Sequence, residues 1–354
     1  MSSPYDFDFL IDATMLQCSG IGTYVKQLLP RIHWSAWNRV GAMCAPEDQA
    51  FIANLGIQPI VWNVGLYSPR RILGARKLPR SKALWVPHFN LPFGLPRQQK
   101  IFVTIHDLFH LDMAPLIPRT HRLYSRILLA NAVSKASTIL TVSQSTADRI
   151  GHYYPRQTAK IRMIHNGIQQ FTTVAHAQPT QPFVLMVGNV KPHKNVRRAI
   201  AAFAIFRQKH PEFKMVIVGK ADNFLNGEEA LDQAGLSQNG IQFTGFVSDA
   251  LLQQFYATCS CFLFPSLYEG FGLPVLEAAA QGAKVCCSNI PSLREIAQGH
   301  AIFFDPMNPQ EMAHALEQTI AATPADPQSS AHWLSQYTWE HSAQQHQQVF
   351  SHEA

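Results

Sequence analysis

Short apolar runs rich in β-branched and aromatic residues alternate along this chain with longer stretches whose apolar positions recur at helical spacing. Such runs read as strands buried on both faces, and helical segments between them imply parallel sheets flanked by helices. FDFLIDA, KALWVPH, KIFVTIHD and ASTILTVS are strands of this kind in the first half, and PFVLMVGN, FKMVIVGK, IQFTGF and CFLFPS in the second. Between the halves lies TTVAHAQPTQP, residues 172–182, with two prolines, two glutamines, three threonines and no charge, which reads as a linker. The pattern predicts two α/β domains, 1–177 and 183–337, with strand carboxyl ends opening on a cleft where ligands bind. No internal repeat relates the halves.

The length of 354 residues and a hydrophobic content of 47% suffice for two cores. No apolar run reaches the roughly 18 residues of a membrane span, and MSSPYDFDFL lacks the layout of a signal peptide. The expectation is a cytoplasmic chain, at most peripheral on the inner face of the membrane. The six cysteines fit that compartment as buried strand thiols, with Cys259 and Cys261 on one strand face and Cys286 beside Cys287. None has the C-x2-C spacing of a zinc site. Asp6 and Asp8 have D-x-D spacing but stand at the start of the first strand, so no metal is assigned to them.

The net charge of +6 hides a division. Residues 1–170 carry 19 Lys and Arg against 8 Asp and Glu, and residues 171–354 carry 10 against 15. Arg70, Arg71, Arg76, Lys77, Arg80 and Lys82 form one cluster of the basic half, and Arg119, Arg122 and Arg126 another. Clusters of this kind mark an anionic partner such as nucleic acid, phospholipid or a phosphorylated acceptor.

Four segments carry chemistry, each just after a strand. In FPSLYEGFGLPVLEAAAQG a strand runs into a glycine loop and then a helix, so backbone amides can approach a phosphate. Glu269 and Glu277 flank that loop, and carboxylates accept paired hydrogen bonds from vicinal hydroxyls. In VGNVKPHKNVRRAIAAF, Lys191 and Lys194 converge with a helix start after Gly188, a natural diphosphate site. In IDATMLQCSGIGTYVKQLL, Gly20 and Gly22 lead toward a helix starting near Thr23, without the full dinucleotide fingerprint. In TIHDLFH, His106 and Asp107 follow the strand KIFVTI, and Asp107 is a candidate to orient the imidazole.

EGFGLPVLEA resembles the E-x7-E signature of family-four retaining glycosyltransferases, whose fold is GT-B, with two Rossmann-like doubly wound parallel sheets facing a central cleft. The resemblance extends over about residues 8 to 350 and implies roles residue by residue. Glu277 would hold the donor ribose and Glu269 the sugar hydroxyls, while the amides of Phe271, Gly272 and Leu273 meet sugar or diphosphate. Lys194 matches the family's lysine. Asn189 stands in the usual place of an arginine, which leaves Lys191 as substitute cation. The Gly20–Gly22 loop would touch the diphosphate, His106 the donor sugar, and the backbone near Val247 the base. YTWEHSAQQHQQVF resembles the final helix, about 338–354, that crosses back to the first domain.

The same likeness implies front-face attack in which the leaving phosphate oxygen takes the acceptor proton, without metal or cofactor. GNVKPHKN and the HDL segment resemble bacterial mannosyl- and deoxyhexosyltransferases of surface polysaccharide assembly. GDP-mannose is then the expected donor, with UDP- and TDP-sugars as alternatives, and a glycan or polyprenyl-diphosphate-linked glycan the acceptor. On this reading the basic half meets an anionic membrane rather than nucleic acid. A sugar-nucleotide epimerase of the same fold and a non-catalytic binder of anionic polymers are the rival classes; the latter leaves the two glutamates and phosphate loops unexplained.

Overall fold

The computed structural model describes residues 5–65, 68–169, 179–220, 233–323 and 326–353. Residues 172–178 of the linker segment lie outside the described residues. The chain divides into two compact units, one of Met1–Gly167 with Tyr337–Ala354 and one of Ile168–Gln336.

The first unit holds strands β1 (Phe7–Asp12), β2 (Val40–Cys44), β3 (Gln58–Val61), β4 (Ser81–Val86), β5 (Lys100–Ile105), β6 (Thr138–Thr141) and β7 (Ile161–Met163). They pair in parallel in the order β3-β2-β1-β4-β5-β6-β7. The second unit holds β8 (Phe183–Val187), β9 (Lys214–Val218), β10 (Ile241–Gly245), β11 (Cys261–Phe264), β12 (Val285–Ser288) and β13 (Ile302–Phe304), ordered β10-β9-β8-β11-β12-β13. In each sheet the chain starts at the middle, winds outward, and returns to the other side. The reversal falls between β1 and β4 in one unit and between β8 and β11 in the other. Such switch points open a crevice at the carboxyl ends of the strands.

The eight apolar runs read from the sequence each contain a strand, while β2, β3, β7, β12 and β13 lacked a signal. β3 and β7 are sheet edges with half-exposed residues, and Pro59 is tolerated in β3 because an edge strand need not donate along its whole length. β2 (VGAMC) and β12 (VCCS) are buried but built from small and sulfur-bearing residues, below the β-branched signature of a strand.

Strand alternation sends Phe9 and Leu10 to opposite faces. On one face Leu10, Leu84, Val86, Val103, Ile105 and Ile139 pack against Leu129, Ala132 and Val133 of the helix Arg119–Lys135. On the other, Phe9, Trp85 and Phe102 surround Phe350 of the C-terminal helix Trp339–Glu353, with ring centroids at 5.2, 5.2 and 5.0 Å. That helix therefore belongs to the first unit's core. Arg31 pairs with its Glu340 at 2.8 Å. In the second unit Val184, Met186, Met215, Ile217, Cys261 and Leu263 pack against the helices Val196–Lys209 and Pro309–Ala321. Cys261, Cys286 and Cys287 are buried free thiols, and Cys259 follows the end of a helix rather than sharing a strand face with Cys261.

A directed chain of hydrogen bonds fixes the C-terminal helix. His346 Nδ1 lies 2.7 Å from the carbonyl of Ser342, which can only accept, so Nδ1 carries the proton and Nε2 accepts from Tyr24 Oη at 2.6 Å. Tyr24 Oη in turn lies 3.3 Å from Thr104 Oγ1, which accepts from Trp85 Nε1 at 3.1 Å. Burial lowers the His346 pKa from 6.5 to about 4, so the ring is neutral. Between these values the unfolded chain binds the proton and the folded one does not. Stability is therefore full above 6.5 and falls on acidification toward 4. We expect His346→Ala to lose about 2–4 kcal/mol at pH 7. Urea unfolding at pH 7 and pH 5 checks this: the variant should lose less on acidification than the wild type does.

Candidate active site

In the second unit the loops after β8 and β11 meet at the switch point. Asn195 adopts a left-handed conformation (φ 59°) that few residues other than glycine, Asn or Asp accept. Its amide donates to the carbonyls of Pro265 at 3.1 Å and Pro306 at 2.7 Å. Leu267 N donates to His193 O at 2.7 Å, so backbone bonds join the same two loops. Held this way, Lys194 forms an ion pair with Glu269, their side chains 17% and 14% exposed. The Lys194 ammonium also stands 5.2 Å from the Phe264 ring centroid. The structure thus brings together the two residues that the sequence assigned to diphosphate and sugar, and pairs them with each other.

Asn189 is used differently from a phosphate-binding arginine. Its Oδ1 accepts from Lys220 N at 3.2 Å, and Val190 N donates to Lys220 O at 2.8 Å, stitching the loop after β8 to the one after β9. Lys191 is exposed beside it. Gly188, directly after β8, has φ 142°.

The glycine loop after β11 leads into the helix Leu273–Ala280. Gly272 has φ 111°, and a Cβ there would fall 2.5 Å from Leu293 Cδ2, so only glycine fits. Phe271 is buried and Leu273 half-buried beside it. Glu277, on the next helical turn, accepts from Tyr256 Oη at 3.2 Å through Oε2. Burial raises its pKa above 4.5, against the Tyr256 hydrogen bond, so the carboxylate is held where its charge is poorly solvated. Val247 follows β10, ahead of a helix capped by Ser248. Sequence reasoning missed Tyr256, which only the folded helix brings to Glu277, and Phe246, an exposed ring with Lys220 Nζ 5.2 Å from its centroid.

In the first unit the helix expected near Thr23 begins at Ser19, so Gly20 and Gly22 sit inside its first turn. A Cβ on Gly22 would lie 2.3 Å from Leu16 O. The switch point here is occupied by side chains. Asp12, the last residue of β1, pairs with Arg71, whose Nη2 also donates to Thr14 Oγ1 at 2.7 Å. His88 Nδ1 accepts from Asn90 N at 3.0 Å, so its Nε2 carries the proton toward Asp12 Oδ2 at 3.3 Å. Burial pushes the Asp12 carboxyl up, but Arg71, His88 and Thr14 outweigh it and hold it well below the usual carboxylate range.

Arg71 therefore does not belong to an exposed cluster, because its side chain is only 3% exposed and its charge is matched by Asp12. Arg70, Arg76, Lys77 and Arg80 are exposed, and Lys82 is exposed while paired with Asp8 at 2.8 Å. Asp8 and Asp6 are taken up at the sheet margin, accepting from Arg39 N at 3.1 Å and Arg80 N at 2.9 Å.

His106 follows β5. Its Nε2 lies 3.0 Å from the carbonyl of Pro87 and so donates to it, and its ring meets Tyr24 edge-on at 4.8 Å. Burial lowers its pKa to about 4, which leaves a neutral imidazole with Nδ1 as acceptor. Asp107 Oδ1 accepts from Phe109 N at 2.9 Å, opening the next short helix, and the imidazole is oriented by Pro87 O. Among the described residues no three His, Cys, Asp or Glu side chains converge as a metal site.

Family models and known proteins match both units. Residues 45–170 match the model of Glycosyltransferase Family 4, and residues 169–333 that of Glycosyl transferases group 1. The chain is 27% identical over 323 residues to the O-antigen chain mannosyltransferase B of Escherichia coli, covering 84% of this chain and 81% of that one. Its fold resembles sucrose-phosphate synthase of Thermosynechococcus elongatus (TM-score 0.74, 19% identity, 97% and 98% of the two chains). It also resembles Anabaena HepE, solved with UDP and glucose (TM-score 0.69, 16% identity, 98% and 99%). The two matched models adjoin and span most of the chain, each on one doubly wound parallel sheet, and the chain belongs to the family-four, group 1 glycosyltransferases, enzymes of the GT-B fold.

Proposed function

We propose that this glycosyltransferase moves mannose from GDP-mannose, with retention of configuration and without a metal, onto a glycan or polyprenyl-diphosphate-linked glycan in surface polysaccharide assembly. The observation that carries the reading is the Lys194–Glu269 pair at the β8–β11 switch point, with Glu277 held by Tyr256 on the helix that follows the glycine loop. Likeness to an O-antigen mannosyltransferase supports the choice of sugar and pathway.

As the bond from the sugar C1 to the diphosphate oxygen breaks, charge grows on that oxygen and must be met by a fixed cation. Lys194 is that cation, aided by Lys191 and by the amides at the start of the helix Leu273–Ala280. Glu269, released from Lys194, accepts the sugar hydroxyls, while Glu277 accepts those of the ribose and the backbone near Val247 meets the base. The acceptor hydroxyl attacks C1 on the face the leaving group departs from and passes its proton to the departing phosphate oxygen. No separate general base is then required. The neutral His106 positions a sugar hydroxyl through Nδ1.

Incubation with GDP-mannose and a panel of UDP- and TDP-sugars, with candidate acceptors and EDTA, tests the reading. GDP-mannose should give acceptor-dependent GDP release and an α-linked product at an undiminished rate. A requirement for magnesium or manganese would contradict the metal-free route, turnover of another nucleotide sugar alone would overturn the donor, and nucleotide release indifferent to acceptor would favour an epimerase.

Glu277 carries a second prediction. Because its folded pKa is raised, its charge costs stability that is not felt below pH 4.5 and grows as pH rises above it. Glu277→Gln should therefore unfold at a higher temperature than wild type at pH 7 but not at pH 4. Nucleotide affinity should fall by about 1.5 kcal/mol or more as charged hydrogen bonds are lost. A variant with wild-type nucleotide affinity would remove the ribose assignment.

A further inference from the structure

We propose, on the reading that His106 Nδ1 takes a hydroxyl of the donor sugar, that Tyr24 is a positioning residue for the transfer step. Its phenol ring, anchored through Oη to His346 of the C-terminal helix, holds the His106 imidazole in the plane that presents Nδ1 to the sugar. A single buried ring thereby connects the helix Trp339–Glu353 to the loop after β5.

Three contacts hold His106, each on a different part of the residue. Thr146 Oγ1 donates to its carbonyl at 3.2 Å and fixes the backbone. Its Nε2 donates to Pro87 O at 3.0 Å, which restrains one ring atom but leaves the broad χ2 torsion of histidine to turn the ring plane. Tyr24 stops that turn: its ring lies 4.8 Å away at 89° to the imidazole, the edge-on arrangement that aromatic pairs favour. Tyr24 is itself 1% exposed, tied at its tip by the 2.6 Å bond to His346 Nε2 and flanked by Trp85 and Trp339 at 6.1 and 6.3 Å. A bond at the tip of a side chain fixes χ1 and hence where the ring stands. Burial pushes the phenol pKa up, so Oη keeps its proton and remains the donor.

Packing alone does not require these groups. Apolar residues at 24 and 346 would fill the core without burying a hydroxyl and an imidazole, each of which costs free energy unless it is bonded. What the tyrosine adds is a fixed ring position against His106. A binding group has to be held within about 10–20° of its productive orientation, and a displacement near 1 Å costs on the order of a hundredfold in rate. Burial also lowers the His106 pKa from 6.5 to about 4, which keeps Nδ1 free of a proton at neutral pH. The titratable groups bearing on that ring are Tyr24 from the helix Ser19–Leu28, His88 from the loop after β4 and His346 from the C-terminal helix. His88 is bonded to Asp12 and Arg71, and Asp107 accepts from Phe109 N.

Turnover by the full chain carrying Tyr24→Leu, Tyr24→Phe or His106→Ala, with the nucleotide sugar that wild type uses, tests this together with NMR titration of histidine-labelled protein. His106→Ala and Tyr24→Leu should each lower kcat about tenfold or more with little change in affinity for the nucleoside diphosphate. Tyr24→Phe keeps the ring and loses its anchor, so its kcat should fall between those of Tyr24→Leu and wild type. In Tyr24→Leu water reaches the imidazole, its pKa rises toward 6.5, and protonation removes the Nδ1 acceptor at a higher pH than in wild type. On acidification kcat of that variant should therefore begin to fall nearer pH 6.5 than pH 4. The His106 resonance, identified by its absence in His106→Ala, should titrate over the same range. A tyrosine that only supports the fold would leave kcat and titration of the folded variant unchanged. That result in both Tyr24 variants, beside a loss in His106→Ala, would overturn the positioning role and leave the sugar contact standing. If Tyr24→Leu does not fold, wild-type kcat in Tyr24→Phe overturns the proposal by itself. Undiminished turnover by His106→Ala would instead remove the His106 reading, and the role of Tyr24 with it.

Discussion

The contact on which the account turns is the ion pair between Lys194 and Glu269, because it holds two opposite charges out of water at the carboxyl ends of β8 and β11. Largely desolvated charges are tolerated only when matched, and removing either partner leaves the other stranded. Asn195 supplies the backbone geometry, accepting a left-handed conformation and bonding the carbonyls of Pro265 and Pro306. The pair thus holds both side chains oriented against each other at the ends of the two strands.

The two units share one topology and use it in opposite ways. At the β1–β4 switch point Asp12, Arg71, His88 and Thr14 are buried and bonded to one another, while Arg71 Nε is buried without a partner. At the β8–β11 switch point, Gly188 and Gly272 take positive φ and Lys194 pairs with Glu269. Neutral histidines recur where burial outweighs charge: His106 and His346 are both lowered to about 4 and serve as hydrogen-bonding groups at neutral pH.

Much of this was legible in the sequence because parallel strands are continuous apolar runs and the loops after them carry the chemistry. The spacing of Glu269 and Glu277 around a glycine loop, with Lys194 elsewhere, marked candidate residues in the sequence, and the fold pairs Lys194 with Glu269. The edge strands β3 and β7 escaped because half-exposed residues carry no apolar run, and the start of the helix at Ser19 because glycines in a first turn look like loop. Arg71 sits between exposed cations in sequence, and only the fold turns it inward to Asp12. Tyr256 and Glu277 are far enough apart in the chain that no periodicity links them.

The most direct test of a diphosphate at Lys194 is calorimetric binding of GDP and GMP to wild type and Lys194→Met. Wild type should prefer GDP, and the variant should lose about 1.5–3 kcal/mol for GDP, as expected for charged hydrogen bonds, with little change for GMP. An undiminished preference for GDP in the variant would contradict the account.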